Sequence, residues 1–271
     1  MDHPFVRNVR HDAMPATPAW PPKSAPRLFV SGPLAEGHDV EIEGTQAHYL
    51  SRVMRAAPGD AVVLCDDATG EWAAEVAEAS KRGVSLTVRM QLRPREQVPD
   101  FWLCAALLKK PNFDTVLEKA TELGVRRIQP LITRRCVADK LNDERARTIV
   151  TEAAEQCART ALPEVGELSK LETFLRDWPE DRALFFADEN GGAPAAQAFA
   201  SRSGPAALLV GPEGGFDDAE RATIRAHPQA CPIGLGPRIL RGETAAIAGC
   251  ALWMGTAGDW NNSLARAEPF P

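Results

Sequence analysis

Apolar positions along this chain change their period near residue 100. Before it the apolar runs are short. Residues 27–30, Asp39–Ile42, 61–65, 71–77 and 84–90 each read as a strand, with turn residues at 66–70 and 81–83. One stretch among them has helical spacing: Ala47, Leu50, Val53, Met54 and Ala57 line one face of a helix over 45–57. Thr45 is placed to cap its start, and Pro58-Gly59-Asp60 ends it. Short strands with one helix predict a small β-barrel over 27–95. Residues 93–100, with two prolines and no apolar cluster, read as a linker. Beyond it, strands at 101–108, 125–132, 182–187, 206–210 and 231–235 alternate with helices at 112–123, 143–160, 194–200, 217–226 and 243–254. The helix at 112–123 puts Phe113, Val116, Leu117, Ala120 and Leu123 on one face and stops at Gly124. That alternation predicts an α/β domain over 96–258 with a mostly parallel sheet. Residues 1–26, with six prolines and no period, read as a flexible extension, and 259–271 as a polar tail.

Composition narrows the classes. A chain of 271 residues, 44% hydrophobic and 25% charged, can bury a real core in one large domain or two. No apolar run reaches bilayer length and no secretory apolar segment opens the chain, so a cytoplasmic location with no membrane partner is expected. The six cysteines contain no C-x-x-C pair, which points to buried reduced thiols and no metal. The net charge of −6 weighs against nucleic acid in bulk, although local patches decide the matter.

Two loops carry the candidate chemistry. Leu208-Leu209-Val210 runs into Gly211-Pro212-Glu213-Gly214-Gly215 and then Asp217-Asp218, which reads as buried strand, tight loop and helix start. Ile233-Gly234-Leu235-Gly236-Pro237-Arg238-Ile239-Leu240-Arg241-Gly242-Glu243-Thr244 is a second such junction. Neither has the spacing of a dinucleotide fingerprint or a P-loop. A single loop of this kind is most simply a turn. Two after successive strands suggest a pocket whose backbone groups hold an uncharged adenosine. The helix after the second loop is almost wholly apolar, so its N-terminus faces inward, where Arg238 and Arg241 need a ligand or partner. Lys109-Lys110 and Arg134-Arg135 follow strands and share that carboxyl edge, either as soluble loops or as a basic rim. Glu155 and Arg159 have the spacing of an ordinary helical salt bridge. Arg27, Arg52 and Arg55 could form a basic face. His48 has no second histidine at metal spacing, and no nucleophile elbow is present.

Leu209-Val210-Gly211-Pro212-Glu213-Gly214-Gly215-Phe216 followed by Leu235-Gly236-Pro237-Arg238-Ile239-Leu240-Arg241-Gly242-Glu243-Thr244-Ala245 resembles the ribosomal RNA small subunit methyltransferase E family, within the SPOUT class. Lys119-Ala120-Thr121-Glu122-Leu123-Gly124-Val125, Glu155-Gln156-Cys157-Ala158-Arg159, His48-Tyr49-Leu50, Val53-Met54-Arg55 and Gly59-Asp60 extend the resemblance over 27–257. Ala158 departs from it, since members often have Gly there, and so does the N-terminal extension. The resemblance implies a SPOUT α/β domain with a trefoil knot behind a PUA-like RNA-binding β-barrel, in a homodimer. It implies that S-adenosylmethionine is held by Leu209, Val210, Gly211, Pro212, Glu213, Gly214, Gly215, Leu235, Gly236, Arg238, Ile239, Leu240 and Thr244. The expected product is 3-methyluridine in the 16S rRNA of the small ribosomal subunit, in its decoding region. Arg238 and Arg241 would orient the uracil, its phosphate or the cofactor carboxylate, and Glu243, Glu189 or Glu213 would be the base. Arg27, Arg52, Arg55, Lys109, Arg134 and Arg159 would contact RNA. A ribose 2′-hydroxyl methyltransferase and a non-catalytic RNA-binding protein are the competing readings.

Overall fold

A computed structural model describes residues 20–80 and 83–261. The extension at 1–19, residues 81–82 of the turn, and the tail from 262 lie outside the described residues.

The N-terminal unit is a five-stranded sheet built from β1 (Arg27–Phe29), β2 (Asp39–Ile42), β3 (Ala61–Asp66), β4 (Gly70–Ala79) and β5 (Val84–Pro94), in the order β1-β3-β4-β5-β2. β1 joins β3 in parallel and the other pairs are antiparallel. Register shifts between β4 and β5 twist this long pair around a core of Leu28, Leu50, Leu64, Val76, Leu86 and Val88. β5 runs on to Pro94, with Glu71 opposite Arg93, so the expected linker is strand at its start. Proline is tolerated there because the strand ends at it.

The expected helix at 45–57 is divided. α1 (Gly44–His48) starts behind Glu43 with no side-chain cap, so Thr45 is not its N-cap, and a π-helical turn follows at Tyr49–Val53. The wider turn rotates later residues off the apolar face. Ala47 and Leu50 are buried, whereas Val53 is 62% and Met54 40% exposed.

The C-terminal unit has one parallel sheet, in the order β11-β13-β10-β12-β6-β7-β8, with β9 also on β7. Its long strands are β6 (Phe101–Ala106), β7 (Arg127–Ile132), β10 (Ala183–Ala187), β12 (Ala206–Val210) and β13 (Ala230–Gly234). Three short strands were not legible in the pattern: β8 (Glu164–Val165), β9 (Ser169–Lys170) and β11 (Ala193–Pro194). The helices are α2 (Lys110–Glu122), α3 (Asp143–Cys157), α4 (Leu171–Arg176), α5 (Ala195–Ala200), α6 (Asp218–Ala226) and α7 (Gly242–Thr256). Residues of α2, α3, α5 and α7 join one core with Leu103, Phe185 and Leu208. α4 and α6 cover the opposite face over Cys104, Phe186 and Leu209. Successive strand residues enter opposite cores, which is why these strands read as continuous apolar runs.

α3 ends earlier than expected. Ala158 takes a left-handed conformation at φ 61° and turns the chain into the junction between the two units. There the Glu155 carboxylate accepts the Phe29 N–H at 2.8 Å, and Glu96 accepts the N–H groups of Thr160 (2.9 Å) and Ala161 (3.1 Å). Arg93 donates to the Ala158 carbonyl. The expected Glu155–Arg159 bridge is absent, because each side chain is used elsewhere. The six cysteines are unpaired, and burial pushes the Cys65 thiol up to about 11 and that of Cys104 up to about 12. Cys157 is exposed rather than buried.

Candidate functional site

The parallel pairing of β13, β10, β12, β6 and β7 brings their carboxyl ends side by side, so the loops that follow them share one edge. The loop after β12 is built on glycine geometry. Gly215 adopts φ 66°, and a Cβ there would lie 2.8 Å from Glu189 Oε1. A Cβ on Gly211 would meet the Phe216 ring at 2.9 Å, because Phe216 folds back beneath the loop and packs edge-on to Phe186. The Gly215 N–H donates to the Pro212 carbonyl at 2.9 Å and closes the turn.

α6 then starts with a full capping box. Asp217 Oδ1 accepts the Glu220 N–H at 2.7 Å, and Glu220 Oε2 accepts the Asp217 N–H at 3.1 Å. The Glu220 N–H, and then Arg134, hold the Asp217 carboxyl below the ordinary carboxylate range.

Neighbouring loops clamp this one. The Lys109 N–H donates to Glu213 Oε1 at 3.1 Å, and Arg135 donates to the Gly214 carbonyl at 3.0 Å. The Arg134 N–H donates to Glu220 at 2.7 Å, and its guanidinium pairs with Asp217 (3.0 Å) and Glu172 (2.9 Å). Both basic pairs singled out in the sequence therefore do lie at the glycine-loop edge.

The loop after β13 runs from Leu235 to Arg241, with Gly236 at φ 110° and Ile239 89% exposed. Among the described residues the N–H groups of Gly236, Arg238, Ile239 and Leu240 have no partner. No atom lies within 4 Å of where a Gly236 Cβ would sit. At its end Gly242 opens α7, and a Cβ there would be 3.2 Å from the Gly211 carbonyl oxygen and 2.7 Å from Leu108 Cδ2. The two loops thus meet at a Gly242–Gly211 contact. Open donors beside an uncrowded backbone fit an adenosine held by main-chain groups.

The acidic and basic candidates separate by partner. Glu189 is paired with Arg221, and Glu213 accepts Lys109 N–H. The Glu243 carboxylate makes no hydrogen bond among the described residues, and its Oε2 is buried. Arg238, Arg241, Arg52, Arg55 and Lys109 are exposed and carry no ion pair among the described residues. Arg27 and Arg159 are corrections. Arg27 is spent inside the N-terminal unit, pairing with Glu71 at 2.8 Å and donating to Cys65 Sγ at 3.4 Å. Arg159 is 5% exposed and donates to the carbonyls of Thr121 (2.7 Å) and Val125 (3.2 Å), so it holds the end of α2 and faces no solvent. Missed altogether was Asp188, a buried carboxylate that binds Arg221 and Arg225 and ties the end of β10 to α6. The only signal for it was an acidic pair at a strand end before two glycines.

Residues 95–254 match the model of a family described as an RNA methyltransferase domain, and residues 42–89 that of an RNA methyltransferase PUA domain. A protein of Rickettsia conorii named ribosomal RNA small subunit methyltransferase E is 29% identical, over 83% of this chain and 93% of its own. Its Synechocystis namesake is 33% identical, over 76% of this chain and 69% of its own. Among solved structures, a ribosomal RNA small subunit methyltransferase E from Neisseria gonorrhoeae bound to S-adenosyl methionine superposes with a TM-score of 0.80 at 25% identity, covering 87% of this chain and 99% of that one. A methyltransferase of Legionella pneumophila solved with bound SAM gives 0.77 at 29% identity, with the same coverage.

Proposed function

Since this chain belongs to the RNA methyltransferase family, together with the ribosomal RNA small subunit methyltransferases E, we propose that it methylates N3 of one uridine in 16S rRNA of the small ribosomal subunit. The observation that carries the reading is the pair of glycine loops meeting at Gly211 and Gly242 with open main-chain donors at 236–240. The backbone of Gly211, Gly214, Gly236 and Leu240 would hold S-adenosylmethionine, with the other loop residues named from the resemblance around it. When bound, the cofactor supplies an electrophilic methyl group.

The rest of the chemistry falls to this chain. Uracil N3 carries a proton that must leave. Glu243 takes it, because its carboxylate alone among the three candidates has no protein partner. Arg238 and Arg241, both unpaired, orient the uracil or its phosphate. Arg52, Arg55 and Lys109 hold flanking phosphates, with Arg134 contributing through a guanidinium shared with Asp217. Residues 27–95 serve as the RNA-binding unit and 96–258 as the catalytic one. The half-buried apolar face of α7 at Ile247, Ala248, Ala251 and Leu252 supports a homodimer. The docking of α7 against the Gly211 carbonyl supports the knot. The reading places the protein in the cytoplasm with its substrate.

The test is transfer of labelled methyl from S-adenosylmethionine to small subunits that lack the modification, followed by nucleoside mapping. Expected are 3-methyluridine, loss of at least about 100-fold in turnover for Glu243→Gln, and loss of turnover at unchanged cofactor affinity for Arg238→Ala. Label on a ribose hydroxyl, or none, overturns the reaction. Full turnover by Glu243→Gln overturns the base.

A further inference from the structure

The division of the expected helix at 45–57 leaves an unusual surface. The π-helical turn Tyr49–Val53 exposes Tyr49 (37%), Val53 (62%) and Met54 (40%) on the solvent side of the N-terminal unit, while Leu50 alone turns inward and is fully buried. Arg52 lies inside this turn and Arg55 just after it, held at φ 56° by a chain that bends back to place the Ala56 N–H on the Leu50 carbonyl at 2.9 Å. Both arginines are exposed, and neither guanidinium has an ion pair or hydrogen bond among the described residues. The nearest acidic residue in sequence on the C-terminal side is Asp60, whose carboxylate accepts the Ala57 N–H at 2.8 Å. An exposed aromatic ring, two apolar neighbours and two unspent guanidinium groups thus occupy one short segment.

A duplex is read through its phosphates and shape and has no use for an exposed apolar ring. An unpaired base does, because every base offers a π-face to an aromatic side chain while arginines hold the adjoining phosphates. We propose that Tyr49 is a stacking platform for an unpaired RNA base, with Arg52 and Arg55 as its phosphate clamps, so that the N-terminal unit selects single-stranded over double-stranded RNA. This deepens the RNA-binding role given to that unit above and rests on it.

Tyr49 is the single tyrosine of the chain, which makes the test unambiguous. The full-length protein is titrated with a labelled oligouridylate and, separately, with a duplex of the same length. The Tyr49→Ala variant should bind the single strand about five- to one hundred-fold more weakly, at an unchanged salt slope and unchanged duplex affinity. Tyr49→Phe, which keeps the ring, should restore binding. Arg52→Ala should lower the slope of log affinity against log salt by about one contact. Photo-crosslinking to a 5-iodouridine oligonucleotide should label Tyr49. Equal binding by Tyr49→Ala and parent, an equal loss on duplex and single strand, failure of Tyr49→Phe to restore binding, or label elsewhere each overturns the platform. Calorimetry with S-adenosylmethionine alone separates the two levels. A parent that binds no cofactor would refute the methyltransferase reading while leaving the platform to be decided by the RNA titrations.

Discussion

Ala158 holds a left-handed conformation at the end of α3, and replacing it by glycine should stabilise the protein. The residue sits at φ 61° at the end of α3. It is held there from both sides: Arg93 donates to its carbonyl, and Glu96 holds Thr160 and Ala161 just beyond. A Cβ in this region costs roughly 1–2 kcal/mol. Glycine removes that cost but loses about 0.5–1 kcal/mol more in conformational freedom on folding. The difference favours Ala158→Gly by up to about 1.5 kcal/mol, which for a chain of this size raises the melting midpoint by up to about 6 °C. Ala158→Val should move the other way and further, because a β-branched residue tolerates this region least. Scanning calorimetry and the urea midpoint read both variants, and S-adenosylmethionine affinity serves as the check that the loops are undisturbed. A Gly variant with a lowered midpoint would refute the reasoning, since the strain at this turn would then be smaller than the freedom that glycine loses.

Two further outcomes follow from the same contacts. Glu71 is 5% exposed between Arg27 and Arg93; burial alone would raise its pKa, but the hydrogen bonds and charge of the two arginines outweigh it and hold the carboxyl below its ordinary 4.5. Its contribution to stability is therefore complete above pH 4.5 and is lost as pH falls through the lower folded value, so Glu71→Gln should flatten the acid limb of stability against pH; parallel limbs would dismiss the claim. Gly242→Ala would set a Cβ 2.7 Å from Leu108 and 3.2 Å from the Gly211 carbonyl. Overpacking of about 1–3 kcal/mol should appear as a lower melting midpoint, an S-adenosylmethionine affinity reduced about ten-fold, or both, and calorimetry showing neither would mean the loops do not meet there.

The chain declared its α/β half well and its N-terminal helix poorly, for physical reasons. β10 and β12 are buried on both faces, so their apolar runs are unbroken and hard to mistake. Residues 45–57 carry a helical period just as clear, yet Val53 and Met54 belong to a surface; a π-turn inserts one residue without leaving any mark in composition. β8, β9 and β11 are two residues each, too short to show a period. At the candidate site the glycines announced themselves because backbone demands are local. The roles of Arg27 and Arg159 did not, since nothing in an arginine's neighbours tells whether its partner is a phosphate or a carbonyl on another element. Glu243 differs from Glu189 and Glu213 only by the partners that folding assigns to the latter two.

The position of β12 has a consequence for synthesis. It is the strand between β6 and β10, pairing Phe101 with Ala206 on one side and Ala183 with Ala206 on the other. A nascent chain that has emerged only through residue 205 holds β6 and β10 as two open edges with a missing member between them. Closing so late places a long-range pairing at the end of the folding route, where it is slow. Until then both edges invite pairing with other chains. A truncation before residue 206 therefore yields no smaller working version of this sheet. It yields a sticky half-sheet that quality control must remove, which makes the strand before the glycine loop as necessary for safe assembly as the loop is for its ligand.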